Sequence, residues 1–111
     1  MDKTFYESLL NSIKDPILVA DTNHVVRYMN KAAIEHYEES EGLLQSNLLK
    51  CHNKESQKMM IEILIEMRNG LEEKLISDNE KHRIFMRAVR NDEDNLIGYF
   101  ERYEKPIRLV L

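Results

Sequence analysis

Apolar residues return at helical spacing from the start of the chain. Phe5, Leu9, Leu10 and Ile13 form one stripe and predict a short helix that ends near Pro16. Two short runs rich in β-branched residues follow, Ile17 to Asp21 and Val25 to Met29, with the polar Thr22-Asn23-His24 between them. That pattern predicts a hairpin. Asn30 then stands where an N-cap belongs, before Lys31-Ala32-Ala33, and Ala33, Ile34 and Tyr37 share a helical face. Glu39 to Lys50 reads as irregular, with a helical turn around Leu43 and Leu44. A longer helix follows: Asn53 caps it, Met59, Met60, Ile63, Leu64 and Met67 line one side, and Gly70 stops it. Strands are predicted at Glu73–Ser77, His82–Arg90 and Leu96–Tyr103, divided by the polar turns Asp78-Asn79-Glu80 and Asn91-Asp92-Glu93-Asp94.

Two strands, a run of helices and three more strands make an α+β order. The hairpins should join into a five-stranded antiparallel sheet with helices packed on one face, preceded by an N-terminal helix. Alternation puts Ile84, Met86 and Ala88 on one side of the fourth strand and Phe85, Arg87 and Val89 on the other. Ile97, Tyr99 and Phe100 carry the apolar theme into the last strand. Both faces are thus partly apolar. One meets the helices; the other meets a partner or the N-terminal helix, or is covered by arginine stems.

Composition narrows the function more than the fold. With 111 residues there is room for one core. The divisions expected are a flanking helix at 1–15, a domain at 16–104 and an extended tail at 105–111, able to lead onward or to add to a sheet edge. A net charge of −4, with both signs interspersed, offers no basic face for a phosphate backbone, so direct nucleic-acid binding is not expected. No apolar run approaches the roughly 20 residues of a membrane span, and the N-terminus lacks the pattern of a secretion signal. Cys51 has no cysteine to pair with, and the expected location is the cytoplasm.

The hairpin segment carries a resemblance. An acidic residue closing one strand, a polar turn, a strand ending in Asn30 and then Lys-Ala-Ala resembles the opening of PAS domains, and the element order matches that family over roughly residues 5 to 103. The resemblance implies a sensory and dimerisation module that signals to an output domain or partner protein and holds haem, flavin or a small metabolite between sheet and helices. Such domains commonly pair through an N-terminal helix lying against the outer face of the sheet. The implied homodimer surface is therefore Phe5, Leu9, Leu10 and Ile13 with Phe85 and Arg87, and Arg87 and Arg90 either meet acidic residues across it or remain solvated.

Candidate cofactor chemistry centres on Cys51-His52-Asn53-Lys54-Glu55-Ser56. This stretch is similar to the Cys-His-Pro-Glu-Lys-Ser of one PAS subgroup, and its His-x-x-x-Ser part is similar to haem-carrying, carbon-monoxide-responsive regulators. The resemblance implies His52 as the axial metal ligand, because a neutral imidazole donates one nitrogen to iron while a carbonyl orients the other. Cys51, Met60, Leu64 and Met86 complete the expected cofactor wall. Asn53 departs from the subgroup's proline, and between Gly70 and Met86 no cysteine or methionine offers a second ligand.

Alternatives stand beside each of these readings. His52 equally serves as a loop residue bonding a carbonyl or Ser56, Cys51 is a redox-sensitive thiol or an inert one, and methionines at helical spacing fill cores. The Asn-Cys-Arg-Phe-Leu-Gln stretch of flavin-binding light sensors is absent, which sets a flavin adduct aside. Nor is there a Gly-rich phosphate loop or a nucleophile in a strand-turn-helix setting, and Glu39 with Glu41 reads as solvated charge. No catalysis is expected.

Overall fold

A computed structural model describes residues 2–37 and 40–107; Glu39, the side chain of Glu41 and the tail from Arg108 onward lie outside the described residues. Its elements run α1 (Lys3–Ser12), β1 (Ile17–Asp21), β2 (Val26–Met29), α2 (Lys31–His36), α3 (Ser40–Leu43), a 3-10 turn (Leu48–Cys51), α4 (Lys54–Arg68), β3 (Glu73–Asp78), β4 (Arg83–Arg90) and β5 (Leu96–Glu104). The strands form one antiparallel sheet in the order β2-β1-β5-β4-β3. The three late strands and the first hairpin therefore join through β1 and β5. Gly98 is required at that seam, because a Cβ there would run into the carbonyl of Ala20 on β1.

Capping explains where the helices begin and end. Asp2, Asn30 and Asn53 each accept a backbone N–H from the first turn of α1, α2 and α4. At the far end of α4, Gly70 has φ 110°, its N–H bonds the Met67 carbonyl at 3.1 Å and the Leu71 N–H bonds Glu66 at 3.0 Å. This is a Schellman closure, and Leu71 packs on the core beneath it. Arg90 adds a guanidinium to the same helix end, reaching the Met67 carbonyl at 2.5 Å and that of Leu71 at 3.2 Å.

The core lies between the sheet's inner face and the helical segment. Leu18 and Ala20 of β1, Met86 of β4 and Tyr99 of β5 meet Met60, Ile63, Leu64 and Met67 of α4. The loop after α3 covers the free edge of β2: Val26 N–H reaches Ser46, Gln45 N–H reaches Val26, and Leu48 N–H reaches His24. His24, the turn residue of the first hairpin, has φ 62° and is buried with Nδ1 2.8 Å from the Tyr99 hydroxyl.

The outer face of β3–β5 carries a charged lattice, not a helix. Arg102 lies 4.2 Å over the Phe85 ring and grips both carboxylate oxygens of Glu73 at 2.7 and 3.0 Å, while Arg87 reaches Glu73 at 3.4 Å. Arginine stems thus cover the apolar groups that alternation places there. α1 meets the body at the other end of the sheet. Tyr28 Oη is 2.9 Å from Asn11 Oδ1, the Lys31 N–H donates to that same oxygen at 3.0 Å, and Asn30 Nδ2 donates to the carbonyls of Leu10, Ile13 and Asp15. The predicted placement of the helix across the sheet's outer face is accordingly replaced by docking at edge strand β2 and the start of α2. Polar Glu7 and Asn11 face the body, so Phe5, Leu9 and Ile13 are turned to solvent.

Candidate functional site

Between α4, the 3-10 turn and the sheet lies a cavity of about 480 Å³. Its apolar wall comes from Leu18, Leu48, Met60, Ile76 and Ile84, and its polar groups from Tyr37, His52, Ser56, Ser77, Glu101 and Tyr103. β3 contributes through an irregularity: its pairing shifts between Leu75 and Ser77, so Ile76 is an extra residue and both Ile76 and Ser77 reach the cavity. The short segments between α2 and α4 contribute Tyr37, Leu43, Leu48, Cys51 and His52.

His52 is held firmly. Its N–H closes the 3-10 turn on Leu49, its carbonyl accepts from Gln57 at 2.8 Å, and its Nδ1 lies 2.8 Å from the Leu48 carbonyl. A carbonyl only accepts, so Nδ1 carries a proton, and in the neutral ring Nε2 presents a lone pair. Asn53, one residue on, spends its side chain on capping α4.

Glu101 is the acidic residue among the cavity's described lining residues. It sits in β5 directly between Leu18 of β1 and Met86 of β4, with 8% of its surface exposed. Its carboxyl makes no hydrogen bond or ion pair among the described residues; burial pushes its pKa up, and the nearby His52 works in the opposite direction. Two residues along the same face, Tyr103 shares a 2.6 Å hydroxyl contact with Tyr37, and burial raises both phenols. The rings of His36 and His82 meet that of Tyr103 at 75° and 59°, each with centroids 5.0 Å away.

Of the cofactor residues expected from sequence, the cavity brings together Cys51, His52 and Met60. Leu64 and Met86 are packed in the core instead. Leu64 lies one turn beyond Met60 along α4, and Met86 one inward position beyond Ile84 along β4, and neither reaches the cavity. Glu101, Tyr37 and Tyr103 were not foreseen. The available signal was parity: Glu101 falls in register with Tyr99 and Tyr103, which makes it a charged residue on the inward face of a strand.

Haem meets this lining only in part. His52 has the free Nε2 and the carbonyl-anchored Nδ1 of an axial ligand. Among the described lining residues there is no lysine or arginine to pair with the two haem propionates, and the one acidic residue, Glu101, would repel them. The lining as a whole therefore does not fit the group.

Profile comparison matches the PAS fold over residues 4–100. The chain belongs to the PAS family. It is accordingly a sensory module of signal transduction, a role in which such domains are generally non-catalytic. No curated protein matches its sequence. Solved structures share the PAS architecture at low identity. A C-terminal domain from Streptococcus mutans aligns with a TM-score of 0.79 at 15% identity, over 95% of this chain and 85% of that one. The PAS domain of Bordetella pertussis BvgS aligns at 0.69 and 14% identity, over 95% and 86%. The Aer2 receptor from Vibrio cholerae, a dual PAS-haem oxygen sensor, aligns at 0.62 and 16% identity, over 80% and 91%. No helix among the described residues is long and apolar enough to cross a membrane.

Proposed function

We propose that this PAS domain senses a small molecule in the cavity between α4 and the sheet, and passes occupancy to an output domain or partner protein from a homodimer built on α1. The cavity carries the reading: about 480 Å³ of space with polar groups converging on it inside an otherwise packed core. The dimer half is supported by α1, whose Phe5, Leu9 and Ile13 are 52, 54 and 38% exposed. No catalysis by the domain itself is part of this function, and a cytoplasmic setting suits it. The test is a fragment screen followed by amide NMR. Binders should shift the signals of Tyr37, His52, Ser77 and Tyr103, and Ile84→Trp, which fills the cavity, should abolish those shifts. Binders that perturb only other surfaces would end the reading.

Haem sensing is the second reading, favoured by the orientation of His52 alone. The expected result of titrating haem into the protein is a Soret band that does not saturate. A band saturating at about one haem per chain and lost in His52→Ala would put haem first.

A further inference from the structure

We infer that the ligand of this cavity is a small amphipathic amine, whose protonated nitrogen is held by Glu101 and whose apolar body lies among Leu18, Met60, Ile76 and Ile84. The inference rests on the reading of this cavity as a ligand site. Its central observation is Glu101, a residue only 8% exposed, whose carboxyl opens on the cavity and makes no hydrogen bond or ion pair among the described residues. Such a group costs folding free energy that any apolar residue of similar shape would spare. A donor arriving from outside reverses that cost and makes it a source of selectivity.

The rest of the polar wall points to the same chemistry. None of the described lining residues is a lysine or arginine. The Nδ1–H of His52 is committed to Leu48, which leaves Nε2 of the neutral ring as a second acceptor; the hydroxyls of Tyr37 and Tyr103 are joined to each other, leaving one O–H free, and those of Ser56 and Ser77 can donate or accept. No group on the described wall is a donor only, whereas the Glu101 carboxylate is an acceptor only. A carboxylate ligand would set a second negative charge beside Glu101, and an alcohol brings one donor to a wall that can use several. An ammonium brings three donors and the opposite charge. Apolar surface on the other walls suits a short alkyl or aryl body.

Hexylamine, hexanol and hexanoate make a matched probe set for amide NMR titration of the wild type and Glu101→Gln. The expected result is saturable binding of hexylamine at Tyr37, Ser77 and Tyr103, about 10- to 100-fold tighter than the other two, with that preference lost in Glu101→Gln. Hexanol or hexanoate binding there as tightly as hexylamine would overturn the amine while leaving the cavity a ligand site. No cavity shifts with any probe would overturn both. The wild-type ranking decides the matter even if Glu101→Gln fails to fold, and a Glu101→Gln that keeps the amine preference refutes the role given to Glu101.

Discussion

At the scale of single residues, two buried polar side chains play opposite parts. Asn30 is fully satisfied: Oδ1 accepts from the N–H groups of Ile17 and Ala33 at 2.9 Å each, and Nδ2 is shared by three carbonyls, one in the last turn of α1 and two between α1 and β1. Asn30→Ala removes a helix cap and orphans buried backbone groups, so chemical denaturation should report a loss of about 3 to 5 kcal/mol. Asn30→Asp keeps the acceptor yet turns an oxygen toward three carbonyls, and a comparable loss is expected. Glu101 is the converse, a largely buried residue whose carboxyl has no hydrogen bond or ion pair among the described residues. Glu101→Leu should raise stability by about 1 to 3 kcal/mol while abolishing amine binding, a trade of function for stability. Its pKa is higher folded than the ordinary 4.5, so the folded state holds this proton more tightly. Its contribution to stability is complete below that value and declines as pH rises through the folded pKa. Urea denaturation from about pH 4.5 upward should therefore show Glu101→Gln gaining on the wild type, and a constant difference would refute the raised pKa.

At the scale of elements, α1 and α4 show how the same helical periodicity serves different ends. α4 turns its apolar stripe inward, and Met60, Ile63, Leu64 and Met67 are all buried. α1 buries no residue and meets the body through Glu7, Asn11 and Leu10, leaving Phe5, Leu9 and Ile13 outside. Each such side chain buried at a dimer contact contributes about 1.5 to 3 kcal/mol, against several kcal/mol of association entropy. Sedimentation equilibrium should then find a weak to moderate dimer that Leu9→Asp reduces to monomer without changing the circular dichroism. A monomeric wild type would remove α1 from the dimer scheme. On the sheet, Gly98→Ala should open the β1–β5 seam and lower stability, since the atom it meets is backbone and cannot rotate aside. The outer arginine lattice is a third device: Phe85 and Arg87, expected from sequence at a dimer surface, are engaged within the chain by Arg102 and Glu73.

At the scale of the whole molecule, the cavity couples ligand to stability. A ligand that binds only the folded state at 100 times its dissociation constant adds about 2.7 kcal/mol, which for a domain of this size raises the melting temperature by on the order of 10 °C. Saturating hexylamine should produce a shift of that order in the wild type and far less in Glu101→Gln. The order of elements, their caps and the inward stripe of α4 were all determined by the sequence, because helix and strand periods and Asn30, Asn53 and Gly70 act locally. So was the placing of His52 and Cys51 at the entrance of α4. Only the tertiary structure decided that Glu101 and His52 line one cavity, that Ile76 reaches it through a bulge, that Leu64 and Met86 stay out of it and that α1 leaves the sheet's outer face to arginines. Those outcomes depend on strand register and on which polar side chains find partners, and both are settled between residues far apart in the chain.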